Sequence, residues 1–267
     1  MNDSAIALYR RAMSLAQAGR LAEALAELDR ALALQPDFAD GQRNRADLLL
    51  SLKREAEAYA AYETYLRLRP ADAQGWSNRG IAATELRLPE EAVICFDKAL
   101  ALDPRDADAW NNRANALFEL KRFADAARDY EKALKLAPDL PYADGFLLQS
   151  RLRCCDWGTV TPHRKRIAGG VSRDAPVIDP FGNLAVSDSP SAQLQCARIW
   201  IADGHQAASP LWRDERYGHE RIRIAYVSGD FRPHPVAFLI AGVFEHHDRA
   251  RFETIGVSLG AAGESEL

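Results

Sequence analysis

Apolar side chains recur along this chain at two periods. Locally they fall at helical spacing, as in Ala24, Leu28 and Leu32. Over a longer distance the whole pattern returns every 34 residues, marked by Pro36, Pro70, Pro104 and Pro138. Leu32, Leu66, Leu100 and Leu134 precede these prolines by four residues, and Leu34, Leu68, Leu102 and Leu136 by two. Ala24, Ala58, Ala92 and Ala126 keep the same phase, each followed four residues later by Leu28, Tyr62, Phe96 or Tyr130. A small residue followed by a large one predicts a helix pair, because alanine lets two helices approach and the large side chain fills the gap. Trp76 with Gly80, and Trp110 with Ala114, supply the first helix of the third and fourth units, while Gly19 ends the first helix of unit one. A unit of this size cannot bury its apolar face alone, so four stacked units at about 5–38, 39–72, 73–106 and 107–140 are expected to share one core. Their first helices would line a concave groove.

The pattern resembles the tetratricopeptide repeat, whose period is 34 residues. Unit two is the most degenerate, with Gln42 where a tryptophan could stand and Tyr65 where the other units carry alanine. Beyond Pro138, residues 142–155 read as a helix closing the stack, with Phe146, Leu147, Leu148 and Leu152 apolar. Between Trp157 and Pro190 frequent glycine and proline predict loops and short helical pieces. Ser189 or Ser191 then caps a helix running to about Gly204. At Arg221 the period changes. Ile222, Ile224, Tyr226 and Val227 read as a buried strand, Pro235 to His247 as a helix, and Phe252 to Leu259 as a second strand. Together these make one βαβ unit of a parallel sheet, and such sheets are normally covered on both faces. The expected fold is therefore mostly α: repeats at 5–140, a capping helix at 141–157, a helical linker at 158–220, and at 221–267 the start of an incomplete Rossmann-like domain.

Composition narrows the function. The chain has 267 residues, 34 basic and 38 acidic, for a net charge of −4. Nucleic-acid-binding domains usually carry a basic excess, so nucleic acid is not an expected partner. Asp3, Arg10, Arg11 and Arg20 interrupt the amino-terminal residues, which excludes a signal-peptide core. The longest stretch without polar side chains, Val236 to Phe244, is far short of a membrane span. Cys95, Cys154, Cys155 and Cys196 lack metal-ligand spacing and read as small buried apolar residues; four unpaired thiols suit a cytoplasmic location. His163-Arg164-Lys165-Arg166 reads as a solvated helix face.

Two polar rows share the 34-residue period. Asn44, Asn78 and Asn112 each stand two residues after the tryptophan position, with Arg10 in their place in unit one. A primary amide both donates and accepts, so the row either holds the backbone of an extended peptide or is simply tolerated on a wet helix face. Beside it run Arg11, Arg45, Arg79 and Arg113, which either lie over the packing seam or attract acidic peptides. No metal site is expected from His219, His234, His246 and His247. Gly256-Val257-Ser258-Leu259-Gly260 matches a nucleophile elbow, but no histidine follows it, which excludes a hydrolase of that kind.

The run Arg221-Ile-Arg-Ile-Ala-Tyr-Val-Ser-Gly-Asp-Phe-Arg-Pro-His-Pro-Val-Ala-Phe-Leu-Ile resembles the opening of the catalytic domain of the O-linked N-acetylglucosamine transferase and SPINDLY family. Cys155-Asp156-Trp157, Asp179-Pro180-Phe181 and Ser187-Asp188 are similar to its bacterial branch. The resemblance implies transfer of a sugar from a nucleotide donor to serine or threonine of proteins, on two Rossmann-like domains without a metal or cofactor. It implies that His234 is the active-site histidine, poised by a helix N-terminus to accept the acceptor's proton; the alternative is a capping role. It also implies that Asn44, Asn78 and Asn112 bind extended segments of acceptor proteins. The donor is UDP-N-acetylglucosamine, or GDP-fucose as in the plant SPINDLY proteins, since Phe238 stands where the animal enzymes have a second histidine. The second Rossmann-like domain has no counterpart in the sequence, so the chain alone is expected to bind peptides without turning over. A non-enzymatic adaptor is the rival reading.

Overall fold

Each helix pair closes on a small residue packed beneath a large one. The structure, a computed structural model, describes residues 3–204, 218–229 and 235–259. The chain divides into two compact units, Met1–Gln206 and Ala207–Leu267.

The first unit begins with eight helices: α1 (Asp3–Gln17), α2 (Leu21–Leu34), α3 (Ala39–Ser51), α4 (Glu55–Leu68), α5 (Ala73–Glu85), α6 (Pro89–Leu102), α7 (Ala107–Glu119) and α8 (Phe123–Leu136). Leu28, Tyr62, Phe96 and Tyr130 are wholly buried, as are the alanines four residues before them. Gly80 is required by contact: a Cβ there would lie 2.7 Å from the Phe96 ring. Of the two leucine rows only the earlier enters the core; Leu34, Leu102 and Leu136 are exposed at the helix ends.

Within each pair the chain reverses through a left-handed residue. Gly19 has φ 75°, and Lys53, Arg87 and Lys121 have φ 57°, 60° and 60°. The next N–H (Arg20, Arg54, Leu88, Arg122) reaches back five residues to Leu15, Leu49, Ala83 or Leu117 at 2.9–3.0 Å, a Schellman closure of the first helix. A side chain in this conformation costs about 1–2 kcal/mol relative to glycine, which only unit one uses.

Between pairs, Trp76 Nε1 donates to the Pro70 carbonyl at 2.9 Å and Trp110 Nε1 to that of Pro104 at 3.0 Å. In unit two, Gln42 Nε2 donates to Pro36 O at 2.9 Å. The amide thus replaces the indole N–H, and the apparent degeneracy keeps the latch. Tyr65 is accommodated because Gly75 faces it, where a Cβ would meet its ring at 2.8 Å, and its hydroxyl donates to Asp72 Oδ2 at 2.6 Å. First helices of successive units approach one another (α3 with α5, α5 with α7) more closely than second helices do, which places them on the inner side of the superhelix.

After the repeats, α9 (Ala143–Arg153) packs on α8. The helices α10 (Val160–Val171), α11 (Pro180–Leu184) and α12 (Pro190–Gly204) follow, joined to α9 through a second core of Leu148, Ile167, Val171, Ile178, Val186 and Cys196. Gly169 and Gly170 do not break α10 as their composition suggests; Gly170 is there because Val177 crosses it, 2.6 Å from any added Cβ. Ser189 provides the cap of α12, its Oγ accepting from Ala192 N at 3.3 Å. The cysteine reading is corrected in part. Cys95 and Cys196 are buried, and burial pushes the Cys95 thiol up to about 11, but Cys154 and Cys155 are exposed in the turn ending α9. No described helix is long and apolar enough to cross a membrane.

The basic cluster is also only partly solvated. Arg166 Nε donates to buried Asp144 at 2.9 Å, and His163 Nε2 meets Arg151 at 2.9 Å, which in turn pairs with Glu131. Burial, then the Arg151 and Arg166 charges, hold the His163 imidazole below its usual 6.5, against the opposite pull of Glu131 and Asp156. A folded pKa below the unfolded value gives stability present above 6.5 and lost as pH falls through the folded value. Asp144, raised by burial, acts in the opposite sense at lower pH, in the carboxylate range. Acidification from about pH 7 to about pH 5 is therefore expected to loosen the α9–α10 packing, read as faster amide exchange across α10; His163→Gln should abolish that pH dependence.

In the second unit β1 (Ile222–Ser228) pairs in parallel with β2 (Phe252–Ser258), Ile222 opposite Phe252, with α13 (Pro235–Glu245) between them in sequence. Arg223 bonds Glu253 across the strands at 2.9 Å, and the Tyr226 ring packs edge-on to Phe244 at 4.7 Å. The expectation of a buried strand is not met. Ile222 and Val227 are 60% and 57% exposed, and no described side chain of this unit is buried, since the two strands and one helix described have too little surface to enclose a core among themselves.

Candidate functional site: the amide row of the inner helices

Equal phase on equivalent helices places Asn44, Asn78 and Asn112 on the same turn of α3, α5 and α7, each half-buried. Asn44 Nδ2 donates to the Tyr9 hydroxyl at 2.8 Å and lies 3.2 Å from Met13 Sδ. Asn78 Nδ2 donates to Asp47 Oδ1 at 3.2 Å, and its Oδ1 accepts from Gln74 Nε2 at 2.8 Å. In both units the NH2 end of the amide faces the first helix of the preceding repeat. Met13 and Asp47 occupy equivalent positions, and the next in that series is Ile81. Apolar Ile81 offers Asn112 no acceptor, and Asn112 makes no side-chain hydrogen bond among the described residues. Along the row, then, Asn44 keeps its carbonyl oxygen, Asn78 one lone pair, and Asn112 its whole amide for a ligand. That set matches alternating backbone donors and acceptors. It contains no nucleophile or general base.

The arginine row lies in the seam between repeats. Arg45 bonds Asp29 at 2.6 Å, Arg79 lies 3.4 Å from Glu63, and Arg113 meets Asp97, each carboxylate belonging to the preceding second helix. Those acids form their own row, continued by Glu131, which pairs with Arg151 of α9. Arg113 also holds Asp129 of its own unit through two bonds of 2.7 and 2.9 Å. Arg79 stacks 4.4 Å over the Tyr59 ring and Arg113 4.6 Å over Trp110. These guanidiniums are committed to packing, with 15% and 19% of the Arg79 and Arg113 side chains exposed. Arg11, 68% exposed and 3.6 Å from Glu27, is the looser member.

Sequence reasoning missed a linkage fifteen residues long. Asp47 accepts from the Tyr62 hydroxyl, and Asn115 accepts from Tyr130 at 2.6 Å, whereas the equivalent pairs in units one and three are Met13–Leu28 and Ile81–Phe96. Polar partners occur together and apolar partners occur together. That matching was the available signal. Burial, and then the Asp47 bond, push the Tyr62 phenol well above its ordinary value, so it serves as a donor. Asp47 also lies 3.8 Å from Arg43, which is equally close to Asp72.

His234 lies outside the described residues, as does Gly260 of the Gly256–Gly260 motif. Among the described residues no group of histidine, cysteine and carboxylate side chains is arranged to hold a metal.

Comparison with known proteins places this geometry. Residues 9–73 and 107–140 match models of the tetratricopeptide repeat, and 90–121 match a further TPR repeat model. The probable UDP-N-acetylglucosamine–peptide N-acetylglucosaminyltransferase SEC of Arabidopsis thaliana is 31% identical over 104 residues, 34% of this chain and 10% of that protein. The chain thus spans about a tenth of the length of the curated relative it matches. Among solved structures, a MamA protein superposes with a TM-score of 0.59 at 13% identity, covering 79% of this chain and all of that one. A MamA fragment from Desulfovibrio magneticus RS-1 gives 0.58 at 19% identity over 62% and 94% of the two chains. YrrB, described as a TPR protein with an unusual peptide-binding site, gives 0.57 at 16% identity over 74% and 94%. At these identities the likeness is one of fold. Period, helix boundaries and repeat models agree over residues 9–73 and 90–140, which carry tetratricopeptide repeats.

Proposed function

We propose that the repeats capture an extended segment of a partner protein, with Asn44, Asn78 and Asn112 contacting its backbone. The observation that carries this reading is the row itself: equivalent amides on adjacent inner helices, oriented alike where they are fixed, with unsatisfied valences left over. Because amides read backbone rather than side chains, the partner class is extended and sequence-tolerant. The test is fluorescence anisotropy with a labelled peptide of repeating Ser-Ala-Thr-Pro. Replacing all three asparagines by alanine should weaken capture about tenfold at constant helicity, since each backbone contact contributes about 0.5–1.5 kcal/mol and not all add. Unchanged capture would remove the proposal.

A second reading is favoured by the match to SEC: that the repeats recruit acceptors for O-glycosyl transfer of the O-GlcNAc transferase and SPINDLY kind. In that reading β1, α13 and β2 open a Rossmann-like domain, and His234 takes the proton of the acceptor hydroxyl. The donor would be UDP-N-acetylglucosamine or GDP-fucose, and the setting cytoplasmic. Calorimetric titration with both nucleotide sugars tests the expectation of a missing donor domain: this chain alone should show no tight binding of either, and micromolar affinity for one of them would mean that it holds a donor site of its own.

A further inference from the structure

Asp47 joins two repeats through one carboxylate. Its Oδ1 accepts from the hydroxyl of Tyr62 in its own unit and from Nδ2 of Asn78 in the next, at 3.2 Å in the second case. At its other end the Asn78 amide accepts from Gln74. A carboxylate cannot receive a bond from a carbonyl oxygen, so this pair of contacts allows one of the two flips of the amide and excludes the other.

We propose that Asp47 is a positioning residue for peptide capture. By holding the Asn78 amide in a single orientation, it presents the remaining lone pair to the bound backbone already ordered, and ordering need not accompany binding. The inference rests on the reading that the row contacts peptide backbone. A purely structural role for Asp47, satisfying the buried Tyr62 hydroxyl, makes a different prediction.

The repeats supply the variant that tells the roles apart. Unit three carries Ile81 beneath Phe96 where unit two carries Asp47 beneath Tyr62, and both aromatic rings are wholly buried. The double substitution Asp47→Ile with Tyr62→Phe therefore transplants an existing apolar pair. It leaves no hydroxyl unsatisfied; besides the anchor of Asn78 it removes only the 3.8 Å approach of Arg43, which keeps Asp72 as its partner. With the fluorescein-labelled Ser-Ala-Thr-Pro peptide, this variant should keep the wild-type melting temperature. Its Kd should rise about threefold to tenfold, the range expected for loss of one ordered hydrogen-bonding group. Adding Asn78→Ala to it should change little further.

Unaltered binding by the double variant, alongside weakened binding by Asn78→Ala, overturns the inference and leaves the reading beneath it standing. Unaltered binding by Asn78→Ala overturns both. A measurement on the wild-type chain keeps the test independent of variant folding. The Asn78 side-chain 15N order parameter should match rigid backbone at about 0.85, and a value below about 0.6 refutes the clamp.

Discussion

Replacing Phe96 by alanine is expected to cost about 3–5 kcal/mol, the range for truncating a fully buried aromatic ring. The ring is wholly buried among Ala83, Ala92, Leu100, Ala109 and Ala116, and it closes over Gly80. That site is poorly able to collapse, because most of its fully buried neighbours are alanines, with no longer side chain to swing into the gap. Its lining also spans units three and four, and in a linear array stability is a sum over units and their interfaces. The loss should therefore uncouple the two halves of the stack. Urea unfolding followed by circular dichroism should show a lower midpoint and two steps in place of one. A single transition displaced by less than about 1 kcal/mol would mean that the helices close over the gap.

Asp129→Ala is expected to cost about 2–4 kcal/mol, somewhat below the usual figure for breaking a buried ion pair because Asp97 remains for Arg113. Asp129 is 5% exposed and takes both arms of the guanidinium. Burial works against the Arg113 charge, and the Asp129 and Asp97 carboxylates more than offset it, raising its pKa. By contrast, Asp29 is 50% exposed, and removing its bond to Arg45 should cost less than about 1 kcal/mol. A double-mutant cycle on each pair, read by thermal unfolding, checks the contrast. Equal coupling in the two pairs would contradict the assignment of burial as the cause.

Gln42 shows how far the row of letters could be read. As a departure from tryptophan it was visible; that it keeps the same bond to Pro36 O was not, because the latch is defined by an atom and not by a residue type. Cys154 and Cys155 illustrate the converse. Cysteine is usually buried, but the αL turn at Cys155 (φ 58°) carries both thiols into solvent. For β1 the apolar alternation was legible and the cover was not, since burial depends on what lies against a strand.

By itself the sequence determined the helix pairs, their boundaries and their stacking. These follow from local spacing repeated every 34 residues, and repetition makes a weak local signal strong. Only the tertiary structure decided what each polar row does. Whether Arg79 meets a carboxylate sixteen residues back, or Asn78 one thirty-one residues back, depends on how adjacent helices cross. Side-chain reach across that crossing is a matter of a few ångströms, and no one-dimensional period encodes it.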